Sequence, residues 1–253
     1  MPRRETDDTM NLKKEIVHYW SGRSESFSKL HTKALRGEKA ALWLREILPE
    51  LEPIRERQAR PNVLDIGCGT GFFAILLAKE NCDVTAIDLT PSMLAEARQN
   101  AAAEGVRARF LEMDAEEPAL AENSFDLIVT RNLTWTLPHL QKAYQNWFGL
   151  LKPGGTLLNF DGDYHSLSQS CCDSLPKNHA HNQLTQEQNE ECEHIYEQLP
   201  QDQKPDIDIR FLEEAGFTDL FVDLSLSDRV YQNIDEFYNP VPMFRLRAKK
   251  PLK

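Results

Sequence analysis

The chain has 253 residues, 41% of them hydrophobic, and a formal net charge of −11, enough for one α/β domain with appendages. That acidic balance argues against a nucleic-acid partner, which needs a dense basic footprint. No apolar stretch is long enough to span a bilayer, Met1–Lys14 is too polar for a cleavable leader, and five cysteines at irregular spacing suit a reducing compartment. The expectation is a cytoplasmic chain without membrane insertion.

Residues 1–10 are polar and expected to fray. From Asn11 to Leu48, positions such as Ile16, Tyr19, Trp20, Phe27, Leu30, Leu44 and Ile47 recur at helical spacing. Ser21-Gly22 is predicted to divide this stretch into separate helices, and Pro49 to end the last. Pro53 and Pro61 bracket a charged linker. Val63–Ile66 then reads as a buried strand that enters Gly67-Cys68-Gly69-Thr70-Gly71, with a helix over 72–79. Three glycines at alternate positions let the backbone bend sharply and approach a ligand, and the N–H groups opening the helix face the turn.

Val84–Ile87 is predicted as the second strand, ending at Asp88. Thr90-Pro91 places a cap before a proline at the first helical position, and that helix runs to Gly105. A third strand over 107–113 ends at Asp114, and a fourth, Phe125–Val129, precedes Thr130-Arg131-Asn132. A helix over 138–151 stops at Lys152-Pro153-Gly154-Gly155, and a fifth strand covers 156–160. This alternation predicts a mostly parallel, Rossmann-like seven-stranded sheet with helices on both faces. Residues 161–206 break the rhythm with a polar stretch and a helical piece near 186–198. A short helix over 211–217 follows, and 220–226 and 243–248 alternate like strands. The division expected is a helical cap over 1–50, a core over 51–161, a lid over 162–206 and completing elements over 207–253.

Two nucleotide-type ligands compete for the glycine turn. A dinucleotide fingerprint wants its third glycine at position 72, where Phe72 stands. Asp65 sets a carboxylate where a diphosphate would be repelled and an ammonium group welcomed. The spacing D-x-G-x-G-x-G, continued by Phe125-Asp126-Leu127-Ile128-Val129 and Leu150–Gly155, resembles the class I S-adenosylmethionine (SAM)-dependent methyltransferases. Within that class the chain is most similar to the small-molecule branch containing ubiquinone and menaquinone methyltransferases, which share the Tyr19-Trp20-x-x-Arg23 segment.

The resemblance implies SAM as cofactor and S-adenosylhomocysteine as product, held by Tyr19, Trp20, Arg23, Asp65, Gly67, Cys68, Gly69, Gly71, Asp88, Leu89, Met93, Asp114, Ala115, Arg131 and Asn132. Asp88 is suited to the ribose hydroxyls and Asp114 with Ala115 to the adenine. A small-molecule acceptor is expected against Trp135, Asp161, Asp163 and Tyr164, with His165, Tyr164 and Asn132 as the candidates for catalysis. Methyl transfer from a sulfonium needs alignment and a dry cavity more than a triad. His165 is the most attractive base, and His18 is a further candidate to close the cap.

Two other readings bear on the same residues. A non-catalytic SAM-binding protein would share every motif. Cys171, Cys172, His179, His181, Cys192 and His194 gather metal-type ligands, as in an arsenic or thiol methyltransferase, but their spacing matches no familiar zinc pattern. No metal is expected, and Cys192 and His194, two apart on a helix, should point to different sides. The absence of an N/D-P-P-Y tetrad after the fourth strand, where Arg131-Asn132-Leu133-Thr134 stands, disfavours nucleic-acid and protein acceptors.

Overall fold

The computed structural model describes residues 3–164, 175–179, 182 and 184–253, with side chains from residue 8. Its first element, α1 (Arg3–Arg36), is one unbroken helix, and α2 (Glu38–Arg55) follows after Gly37. The predicted break at Ser21-Gly22 is absent. Gly22 is exposed, and its helical cost of about 1 kcal/mol is small beside the burial of nearby Tyr19, Arg23 and Ser28 on the same helix. The break falls instead at Gly37, where the backbone turns extended. The predicted stop at Pro49 is also absent, and α2 continues through Pro53. Both prolines lie four residues apart on the exposed side of α2, so water can take the carbonyls they leave unpaired. Trp43, Ile47, Leu51 and Ile54 meanwhile bury the other side.

Strands and helices then alternate as β1 (Asn62–Ile66), α3 (Phe72–Lys79), β2 (Asp83–Asp88), α4 (Pro91–Ala103), β3 (Arg109–Glu112) and β4 (Phe125–Arg131). A single 3-10 turn at Thr134–Thr136 leads to α5 (Leu140–Leu150) and β5 (Leu151–Gly162). Here the sequence reading placed a turn at 152–155 and the strand only from 156. Instead Leu151 already pairs with Phe125, and Lys152–Gly155 bulges before Thr156 pairs with Leu127. The chain closes with α6 (Gln186–Gln198), α7 (Asp206–Ala215), β6 (Thr218–Asp223), α8 (Leu226–Val230) and β7 (Met243–Lys249). Leu226 opens a helix where a strand was expected, because Asp223 turns the chain by accepting from the Ser225 N–H and hydroxyl.

The strands form one seven-stranded sheet in the order β3-β2-β1-β4-β5-β7-β6. Only β7 runs against its neighbours, paired antiparallel to β5 and β6. The central strands are buried on both faces, as a sheet between two helical layers requires. One layer packs Trp43, Ile47 and Leu51 of α2, most of α3, and Leu94 and Ala97 of α4. The other packs Tyr144 and Trp147 of α5 with Ile207 and Leu212 of α7. A small third cluster joins α1 to α6 through Leu12, Tyr19, Trp135, Ile195 and Leu199. The fold thus leaves the carboxyl ends of β1, β2 and β4 facing α1, the position where open α/β sheets bind ligands.

Candidate functional site

A cavity of about 1000 Å³ occupies that position, walled by the sheet ends on one side and by α1 and α6 on the other. The glycine turn forms its floor. Gly67 and Cys68 both donate to the Ile87 carbonyl, at 2.9 and 3.0 Å, tying the turn to β2. Gly67 and Gly69 have φ of +68° and +52°, a region that side chains avoid. A Cβ on Gly69 would meet nothing within 4 Å, so this glycine opens directly onto free space. Gly71 does something different and does not line the cavity. With φ at +87° it caps α3, and an added Cβ would stand 3.1 Å from that of Ala97. Its missing side chain lets α3 and α4 pack.

Three acids line the floor. Asp65 is 2% exposed and its Oδ2 has no hydrogen-bond partner. Burial pushes its pKa up to about 7, against the Ala74 N–H and the Arg131 charge, which pull it down. Asp88 accepts from the Gly69 and Thr90 N–H groups, both at 2.8 Å. Burial raises its pKa and these N–H bonds oppose the rise. Two N–H bonds leave lone pairs on this carboxylate for further donors. Asp114 closes the third corner beside Ala115, Leu89 and Met93. It is already paired at 2.6 Å with Lys13 of α1, which also reaches Glu116.

The wall opposite is one face of α1. Trp20, Arg23, Phe27 and His31 follow one another at spacings of three or four, with Tyr19 beside Trp20, and all five line the cavity. Arg23 donates to the Tyr19 hydroxyl at 2.6 Å and lies 4.9 Å from the Phe27 ring centroid. Among the described residues no carboxylate stands within ion-pairing distance of it. His18 faces outward instead, 79% exposed beside Glu191, so it does not help to close the cavity.

After β4, Arg131, Asn132 and Trp135 all line the cavity with Tyr164. Tyr164 donates to Asn132 Oδ1 at 2.9 Å and accepts from Asn239 at 2.8 Å. Burial holds the Tyr164 hydroxyl well above its usual pKa, which makes it a hydrogen-bonding group rather than a base. Trp135 stacks on Tyr196 at 4.7 Å and leans on Tyr164 at 5.0 Å. Its Nε1 is buried without a partner.

Asp161 and Asp163, expected against the acceptor, are not in the cavity wall. Asp161 is fully buried under it, accepting from the Thr134 hydroxyl and the Trp135 N–H. β5 runs two residues past its predicted end, so Asp161 belongs to the strand and turns into the layer beneath. Burial lifts its pKa to about 6, with Lys204 and Thr134 pulling the other way.

His165, Cys171, Cys172 and His181 lie outside the described residues. His179 donates Nε2 to the Tyr238 carbonyl at 2.7 Å. Cys192 lines the cavity, where burial raises its thiol pKa. His194 is 64% exposed, on another side of α6. Residues the sequence reading missed include Lys13, His31, Tyr196, Tyr231 and Asn239. His31 had a visible signal, since it falls with Arg23 on the same helical stripe as the apolar positions of α1.

Residues 63–155 match a family model described as a methyltransferase domain. A malonyl-[acyl-carrier protein] O-methyltransferase of Enterobacter lignolyticus is 34% identical over 164 residues, 65% of this chain and 57% of that protein. A ubiquinone biosynthesis O-methyltransferase of Coxiella burnetii is 32% identical over 96 residues, 38% of this chain and 41% of that one. The chain thus spans little more than half the length of the first and less of the second. Among solved structures, phosphoethanolamine N-methyltransferase 2 of Haemonchus contortus, in complex with SAM, superposes with a TM-score of 0.54 at 20% identity, covering 80% of this chain and 52% of that one.

Proposed function

We propose, from the premise that the chain belongs to the class I SAM-dependent methyltransferases, that it transfers the methyl group of SAM to a small-molecule acceptor. The observation that carries this reading is the unpartnered Oδ2 of Asp65, set in the cavity wall beside Gly67, Gly69 and Asp88. A buried carboxylate without a partner is costly unless a ligand supplies the donor. The amino-acid end of SAM supplies an ammonium for Asp65, and its carboxylate suits Arg23, which has no acidic partner of its own among the described residues. Open space over Gly69 admits that end of the molecule. Asp88 has acceptor capacity left for ribose hydroxyls. Met93, Leu89 and Ala115 offer apolar contact for a purine, with Asp114 at its edge.

SAM, when bound, brings a methyl group already activated on a sulfonium. The protein's part is then to bind, align and exclude water. Trp20 and Tyr19 cover the site from α1, while Trp135, Tyr196 and Tyr164 line it with ring faces that favour a cationic sulfur. Asn132, fixed by the Tyr164 hydroxyl, is the polar group best placed to orient an acceptor. His165 retains its role as the candidate base for acceptors that must lose a proton. Relatives bearing the names of malonyl-acyl-carrier-protein and ubiquinone O-methyltransferases favour an oxygen acceptor.

Calorimetry with SAM tests the reading. Saturable one-site binding is expected, weakened about tenfold to a hundredfold by Asp88→Ala, the loss of a charge-assisted pair of hydrogen bonds. No binding heat from the wild-type protein, or unchanged affinity in Asp88→Ala, would overturn it.

A further inference from the structure

We propose that the methyl acceptor carries a carboxylate, and that Arg131 receives it in the part of the cavity behind the glycine turn. This rests on the methyltransferase reading and names the acceptor class within it. Arg131 is the last residue of β4, next to Asn132. Its guanidinium lies over three rings, 4.7 Å from the centroid of Phe72, 5.0 Å from Phe73 and 5.1 Å from Trp43. Such a cluster of rings holds a guanidinium in place without satisfying its N–H groups.

The hydrogen-bond chain behind it fixes the tautomer of His31. Arg131 Nη2 stands 3.0 Å from His31 Nε2, and His31 Nδ1 stands 2.7 Å from the Thr70 hydroxyl. Arginine only donates, so Nε2 accepts and Nδ1 carries the proton. Burial and the neighbouring guanidinium both hold His31 neutral. Among the described residues this is the only hydrogen bond the Arg131 side chain makes, and no carboxylate lies within ion-pairing distance of it. Guanidinium has five N–H donors. A charge so enclosed calls for an anion at close range; Asp65 acts on it through space, but none of the described residues pairs with it directly.

The other cations of the cavity are accounted for. Lys39 donates to the Val230 carbonyl at 2.9 Å and pairs with Asp235 at 3.4 Å. Lys13 is held by Asp114 and Glu116. Two guanidinium groups, Arg23 and Arg131, therefore face the same cavity with no direct ion pair among the described residues. SAM has one carboxylate to offer. Arg23 lies on the α1 wall, while Arg131 ends the strand that leads into Asn132 and Trp135. An anion on the acceptor gives Arg131 the direct partner that the described residues do not. Tyr231, Tyr238 and Asn239 line this part of the cavity and give it ring faces and polar edges, so an aromatic acid is a fitting probe.

The test is calorimetric, with benzoate and benzamide as probes on protein saturated with S-adenosylhomocysteine. The wild type should bind benzoate about tenfold or more tighter than benzamide, the difference a charge-assisted bidentate pair makes. Arg131→Gln, kept saturated with S-adenosylhomocysteine, should lose that preference. Equal affinity for the two probes in the wild type overturns the proposal, and this comparison stands whether or not the variant folds. A folded Arg131→Gln protein that keeps the wild-type preference for benzoate overturns it too. Failure of S-adenosylhomocysteine to bind the wild type overturns the methyltransferase reading itself, a separate result from a missing benzoate preference.

Discussion

Asp65 shows how a single residue couples burial to binding. Its carboxyl titrates near pH 7 in the folded chain because water is excluded around it. In the unfolded chain it would titrate near the ordinary value of 3.8. Between those values the folded state holds the extra proton, so this group favours folding as pH falls through the window and loses that contribution as pH rises toward 7. Binding runs the other way, because an ammonium group needs the ionised carboxylate. Affinity for SAM should rise with pH by up to about tenfold per unit below pH 7 and then level off. Calorimetry between pH 5.5 and 7.5 measures this, and Asp65→Asn should bind weakly with no such slope. A flat profile for the wild type would show that Asp65 is not the ammonium partner. The residue itself was legible in the sequence, because strand, acid and glycines all fall between Val63 and Gly71. Asp161 was not legible in the same way. Whether a residue just past a predicted strand end faces the cavity or the layer below depends on how far β5 continues to pair with β7.

At the scale of elements, a buried polar network beneath the site joins segments far apart in the chain. Lys204 pairs with Asp208 at 2.9 Å and donates to the Thr134 hydroxyl, also at 2.9 Å. Tyr144 donates to Asp208, and Asn159 bridges Thr134 and Tyr144. Through Asp161 this network holds the Trp135 N–H, so it fixes the turn that carries Trp135 into the cavity. The Lys204 and Asp208 side chains are 4% and 0% exposed. Lys204→Met would leave a buried carboxylate unpaired and should cost about 3–5 kcal/mol of stability. The double variant Lys204→Met/Asp208→Leu should recover a large part of that loss. Urea denaturation of the three proteins decides it, and a single-variant cost below about 1 kcal/mol would mean the pair is solvated.

Across the whole molecule, α1 is the element that makes a site out of the sheet ends. It packs on α4, α2, α3 and α6 and pins itself to the β3 end through Lys13. A ligand in the cavity would touch the sheet on one side and α1 on the other. Amide hydrogen exchange over residues 13–31 should therefore slow on addition of S-adenosylhomocysteine, while α5 and α7 on the far layer should not change. Equal protection in both regions would separate α1 from the binding event. No helix among the described residues is long and apolar enough to cross a membrane.

The order of strands and helices from β1 to β5, the glycine floor and the acids at the ends of β1 and β2 follow from the sequence alone. Each is a local pattern, set by backbone sterics, capping and a periodicity read over a few residues. Where the two prolines of α2 point, where β5 stops, and which cations remain without partners were decided by the tertiary structure. These depend on which faces water can reach and on contacts between residues a hundred positions apart, such as His31 and Arg131. No local window of sequence contains that information.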